Sequence, residues 1–138
     1  MPTYVNINVG DELPTLHRNM ARINLVQYAA GSGDFNPLHY DADFPQAKAL
    51  GDNIVHGRMK YAALGECVSN WLAHSGHVVT IGCQYRGMDM RGANFTVGGK
   101  VVGKREDAGQ KFVELELWTV TDDGKVTTPG SATVVLRA

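Results

Sequence analysis

Between Gly57 and about His74 the chain carries one uninterrupted amphipathic helix, with Met59, Ala62, Ala63, Cys67, Val68, Trp71 and Leu72 recurring at three- and four-residue spacing and no proline among them. Beyond this helix the chain has the period of strands. Four runs, Val78 to Arg86, Phe95 to Arg105, Lys111 to Thr121 and Lys125 to Arg137, are separated by segments that include Asp107-Ala108-Gly109 and Asp122-Asp123-Gly124. These are turn residues that tolerate positive φ, so at least the last three runs should pair as hairpins. Val113, Leu115, Leu117 and Thr119 alternate with Glu114, Glu116 and Trp118, and Ala132, Val134 and Leu136 with Thr133, Val135 and Arg137, which gives a sheet one covered face. A helix with one apolar stripe and a sheet with one apolar face bury both by packing on each other, and Ala62, Ala63 and Gly65 let the backbones approach. The fold class is therefore α+β, a long helix on an antiparallel sheet. Such a sheet leaves edges and a second face open, and association with another subunit covers them economically.

The first half has a different character. Thr3 to Val9 alternates weakly and is expected to be a short strand ended by Gly10-Asp11, and Arg22 to Ala30 has a helix-compatible apolar face. Residues 31–56 are rich in Gly, Asp, Asn, His and Pro and leave room for only a short helix around Asp43 to Leu50. So long an irregular stretch in a compact domain is usually functional, and Phe35, Leu38, Tyr40, Phe44, Leu50 and Ile54 argue against disorder. All 138 residues suit a single domain, and a formal net charge of −1 gives no field to recruit nucleic acid. Cys67 and Cys83 form no C-x-x-C pair and read as free thiols of a reducing compartment. With no basic leader and no apolar stretch near 18 residues, a cytoplasmic protein without a membrane span is expected.

The irregular stretch also carries chemistry. Gly33-Asp34-Phe35-Asn36-Pro37-Leu38-His39 places a carboxylate and an imidazole five residues apart around a proline that fixes its own φ and drives Asn36 out of the helical region. In a bent loop both side chains can converge on one water. An imidazole exchanges protons near neutral pH, and a carboxylate partly withdrawn from water moves toward the same range, which is the pair a water addition needs. The second segment is Ile54-Val55-His56-Gly57, at the start of the long helix. There the unpaired N–H groups carry partial positive charge, and Gly57 lets a carbonyl approach them without a side chain in the way.

Tyr28-Ala29-Ala30-Gly31-Ser32-Gly33-Asp34-Phe35-Asn36-Pro37-Leu38-His39-Tyr40-Asp41, followed by Ile54-Val55-His56-Gly57, resembles the hydratase-2 motif of the MaoC-like (R)-specific enoyl-CoA hydratases and related hydroxyacyl-ACP dehydratases. The dense likeness runs from about residue 22 to 65. It implies a hot-dog fold, with an antiparallel sheet wrapped around the central helix and two such units in a homodimer or heterodimer. It also implies reversible syn addition of water to a trans-2-enoyl thioester of CoA or acyl carrier protein, with no further cofactor. In that reading Asp34 and His39 hold and activate the water and the Gly57 N–H polarises the thioester carbonyl. His56, Asn36 and Arg58 complete the substrate-binding group, Asn36 and His56 by shaping the loop. The sequence departs from the pattern at Gly65, aligned with a serine that orients the catalytic Asp in some members. It departs also at Arg58, where the residue is often apolar. Arg58 and Lys60 together offer two cations to pantetheine or nucleotide phosphates. Tyr85-Arg86-Gly87-Met88 stands where many members carry Phe and Pro.

Competing readings are weaker. His39, Asp41, Asp43 and His56 lack the spacing of a zinc or calcium motif, so no metal is expected. His74 and His77 flank a helix end and read as structural, and Cys67 and Trp71 as core. Tyr28, Phe35 and Tyr40 are assigned to core packing ahead of an acyl tunnel. The alternative functions on the same fold are a non-catalytic subunit supporting a catalytic partner, and a thioesterase.

Overall fold

The computed structural model describes residues 1–137. Its elements in chain order are β1 (Leu16–Asn19), α1 (Arg22–Ser32), α2 (Pro45–Leu50), α3 (Gly57–Leu72), β2 (Gly76–Cys83), β3 (Asn94–Asp107), β4 (Gln110–Thr121) and β5 (Val126–Leu136), with a 3₁₀ turn at Pro37–His39. The strands form one antiparallel sheet in the order β1-β3-β4-β5-β2. The two long hairpins expected from the turn residues are β3-β4 and β4-β5.

Helix α3 lies against β2, β3, β4 and β5 and buries Ala63, Leu64, Cys67, Val68 and Leu72 onto the covered face, where Val113, Leu115, Leu117, Val134 and Leu136 meet them. Each large aliphatic side chain so buried stabilises the fold by about 1.5–3 kcal/mol. Curled around its helix, the sheet has the hot-dog architecture that the motif implied. Both thiols are free, Cys67 in the core and Cys83 half-buried. Among the described residues no helix is long and apolar enough to cross a membrane.

Two expectations are corrected at the N-terminal end. Thr3 to Val9 is not a strand but a turn-rich segment whose carbonyls at Tyr4 and Ile7 accept hydrogen bonds from Lys104 Nζ. Its alternation came from Ile7, which closes the core beside Leu13. The strand lies later, at Leu16–Asn19, pairing with β3 as an edge too short to show a period of its own. The other edge is β2, which follows α3 directly and carries the half-exposed Val79.

Candidate active site

Helix α1 ends in Gly33, whose φ of 75° turns the chain out of the helix in a conformation that disfavours a side chain. The loop then folds on its own polar groups. Asp34 N–H donates to Ser32 Oγ (3.1 Å), Asn36 N–H donates to Asp34 Oδ1 (3.3 Å), and Leu38 N–H donates to Asn36 Oδ1 (3.1 Å). Asn36 thereby caps the 3₁₀ turn, and Pro37, lacking an N–H, suits its first position. The chain doubles back so that His39 Nε2 stands 3.9 Å from Asp34 Oδ2, with the imidazole largely buried and the carboxylate open to solvent on one side.

The ring of His39 is held in one tautomer. Its Nδ1 lies 2.8 Å from the carbonyl oxygen of Ile54, which can only accept, so Nδ1 carries the proton and Nε2 turns a lone pair toward Asp34. Against this ring stacks His56, fully buried, with centroids 3.9 Å apart and planes 23° from parallel, and Tyr28 meets His56 in an edge arrangement with centroids 4.9 Å apart. His56 Nε2 is 3.2 Å from the Asp34 carbonyl and therefore donates to it, which leaves His56 Nδ1 an acceptor without a partner among the described residues. Burial, and then the neighbouring His39, push the His56 imidazole below its ordinary 6.5, so it sits neutral beneath the pair.

That burial sets a pH dependence of stability. The unfolded chain binds a proton at His56 near 6.5, before the folded chain does, so the stability contributed by a neutral His56 is complete above that pH and declines as the pH falls below it. Asp52, held below its ordinary 3.8 chiefly by the Arg91 guanidinium, loses its contribution only as the pH falls through the acid range beneath that value. Melting temperature measured stepwise downward from neutral pH should therefore begin to fall near 6.5. His56→Gln should flatten this first limb and leave the acid one.

At the start of α3 the Gly57 and Arg58 N–H groups meet no acceptor among the described residues, and the first helical bonds run from Met59 and Lys60 to the His56 carbonyl. The ring of Tyr85 lies across Gly57, so closely that a Cβ there would stand 3.3 Å from its carbons. Residue 57 must therefore be small. Arg58 is exposed, but Lys60 is not the free cation expected. It is 2% exposed and donates to Asp89 Oδ2 and the Gly87 carbonyl, both at 2.8 Å, so it is unavailable to a phosphate. A Cβ on Gly65 would meet nothing within 4 Å, and Asp34 is instead oriented by Ser32, Asn36 and His56. Phe35 is 58% exposed rather than part of the core. Sequence reasoning missed the stacking of His56 on His39 and the part played by the Ile54 carbonyl, neither of which has a signal in residue spacing.

Asp34, His39 and His56 each bring one possible ligand atom within 4.8 Å of the others. The donor set nonetheless suits a metal poorly, since stacked rings hold their in-plane lone pairs side by side instead of converging on one ion, and His56 Nε2 and His39 Nδ1 already carry protons. It suits a water well. One held between Asp34 Oδ2 and His39 Nε2 would donate a hydrogen to each acceptor and keep its own lone pair for an electrophile. Beside Tyr28, a pocket of about 200 Å³ opens between α1 and α3, lined chiefly by Met20, Met59, Ala62, Ala63 and Phe95.

A family model described as the MaoC like domain matches residues 6–122. Among solved structures, the chain is similar to the (R)-hydratase from A. caviae involved in PHA biosynthesis, with 25% identity over 96% of this chain and 98% of that one and a TM-score of 0.86. It is similar in fold to the R-hydratase PhaJ1 from Pseudomonas aeruginosa, with 21% identity, 96% and 84% of the two chains covered and a TM-score of 0.86. It is likewise similar in fold to a chain of the ChsH1-ChsH2 complex from Mycobacterium tuberculosis, with 20% identity, 94% and 98% covered and a TM-score of 0.79. No curated protein sequence matches the chain.

Proposed function

Because the chain belongs to the MaoC-like domain family, we propose that it is a hydratase that adds water reversibly and syn to a trans-2-enoyl thioester, giving the (R)-3-hydroxyacyl thioester. The observation that carries this reading is the facing pair Asp34 Oδ2 and His39 Nε2, 3.9 Å apart, with the His39 tautomer set from behind by Ile54.

In the proposed reaction water sits between the two acceptors. Its oxygen attacks the β-carbon while His39 Nε2 takes one proton and the C=C electrons move onto the thioester as an enolate. The Gly57 N–H faces the enolate oxygen, and the charge at the helix start stabilises it where it develops. The imidazolium, beside the Asp34 carboxylate, then returns its proton to the α-carbon from the same side, which makes the addition syn. Fatty-acid or related acyl metabolism is the setting, CoA or acyl carrier protein the carrier, and no cofactor enters the scheme. The apolar pocket beside Tyr28 offers room for the acyl chain, and exposed Arg58 lies at the helix start for a phosphate of the carrier.

A second subunit is part of the proposal. Among the described residues β2 has no strand on its outer side, and Val79 and Tyr61, whose hydroxyl donates to the Ile81 carbonyl, stand exposed beside it, so another hot-dog unit of the same or a related chain would extend the sheet and close the site. The test is the absorbance of a trans-2-enoyl-CoA, followed beside a free-thiol assay, with the solution mass measured on the same sample. Loss of conjugation without thiol release is expected, from a species of twice the chain mass or from a complex with a related subunit. Thiol release with conjugation retained would make it a thioesterase and overturn the reading.

A further inference from the structure

We propose that Asn53 is a positioning residue for the acid/base pair, holding His39 in place and in its reactive tautomer. Asn53 is fully buried and every polar atom it has is engaged. Its Nδ2 donates to the carbonyls of Leu38 (3.0 Å) and Asp41 (2.8 Å), and its Oδ1 accepts from the Arg22 guanidinium (3.2 Å). Its backbone N–H donates to Asp52 Oδ1 (2.7 Å) and its carbonyl accepts from Arg91 N–H (2.8 Å). Two carbonyls on one side and a guanidinium on the other define which end of the amide is which.

The two carbonyls are those that bracket His39 along the chain, on the residue before it and two residues after it. The next residue completes the grip, for Ile54 donates its N–H to the Leu38 carbonyl (3.4 Å) and offers its own carbonyl to His39 Nδ1 (2.8 Å). The dipeptide Asn53-Ile54 thus holds the backbone on both sides of His39 and the ring nitrogen as well. It is anchored in turn from two other elements. Arg91 makes a paired contact to Asp52 (2.9 and 2.6 Å), and Arg22 of α1 reaches Asn53 and approaches Asp52 at 3.7 Å. Only an amide supplies two donors and an acceptor at this reach. Aspartate, nearly the same in shape, would aim its oxygens at two carbonyl oxygens.

The inference rests on the reading of His39 as the base, and the displacement it guards against is costly, since about 1 Å of misplacement at a reacting group can cost about 10²-fold in rate. The experiment compares the unsubstituted chain with Asn53→Asp, reading enoyl-CoA hydration, thermal unfolding and the ¹⁵N resonances of the His39 ring, assigned by their loss in His39→Ala. Wild type should show the Nδ1–H tautomer. Asn53→Asp should lower kcat about tenfold to a hundredfold with a much smaller change in KM, and should move the ring toward the Nε2–H form while unfolding stays cooperative. Should the aspartate variant fail to fold, Asn53→Ala, which introduces no charge, carries the same readings. A folded variant that keeps wild-type kcat overturns the proposal, as does one that loses activity with the Nδ1–H signature intact. If wild type hydrates no enoyl thioester, the functional reading fails by itself and the tautomer decides the clamp alone. A shift on substitution then supports it and an unchanged signature refutes it.

Discussion

Replacing His39 by alanine, or Asp34 by asparagine, should each lower turnover in enoyl-thioester hydration by about 10²-fold or more, the scale of a lost general acid or base. The two substitutions test different halves of one arrangement. His39→Ala removes the lone pair that receives the proton and leaves the Ile54 carbonyl without its donor, at a position where a neighbouring water can replace it. Asp34→Asn keeps the shape of the loop, because the amide oxygen can still accept from Asn36 N–H and the backbone carbonyl still binds His56. What it loses is the second acceptor for the water. Neither change alters a side chain of the sheet or of α3, although His39→Ala removes the ring stacked on His56 at the helix cap, so both variants should still melt cooperatively. Steady-state rates on one enoyl-CoA, together with circular-dichroism melts, decide the matter. A folded variant with full activity removes its residue from the mechanism.

The largest effect on stability is expected from Lys60→Met, a loss of about 3–5 kcal/mol measured by chemical denaturation, because it strands one half of a buried ion pair. Lys60 and Asp89 face each other at 2.8 Å with side chains 3% and 0% exposed, and Thr127 Oγ1 donates to the same carboxylate oxygen at 2.8 Å. The other oxygen, Asp89 Oδ1, already lacks a partner among the described residues, so a carboxylate deprived of Lys60 has little left to hold it. Replacing both members, as Lys60→Met with Asp89→Leu, should restore most of the loss, since the penalty belongs to the unpaired charge and not to the absence of the pair. The single variant should suffer in activity also. Asp89 receives the Val55 N–H through its backbone carbonyl (2.8 Å), and Lys60 ties the first turn of α3 to Gly87, so the pair braces the helix start that presents Gly57. Equal stability of the single variant and wild type would show that water reaches the pair.

Helix α3 and the three long strands were legible in the sequence because each buries one face, and a buried face writes its period into the residues that supply it. Strand β1 was not, since four residues on a sheet edge are too few for a period and owe their conformation to the partner strand. The segment at 3–9 erred in the opposite direction, Ile7 being a core plug in a turn that pairs with no strand. The loop from Asp34 to His39 could be read locally. Its geometry is made by hydrogen bonds over two residues and by a proline, interactions that the sequence order itself specifies.

The rest of the candidate site depends on residues distant in the chain. In the sequence Lys60 is a cation on offer to a phosphate, and only the fold sets it against Asp89, 29 residues on, while Asn53 carried no signal because its partners are backbone carbonyls that any residue would supply. By itself, then, the sequence determined the α+β class, the helix whose first residue is Gly57, and the short-range fold that brings Asp34 toward His39. Only the tertiary structure decided which His39 nitrogen is free, what stacks beneath it and which charges are buried, for those depend on the low-dielectric packing of segments that meet only when the sheet has closed around the helix.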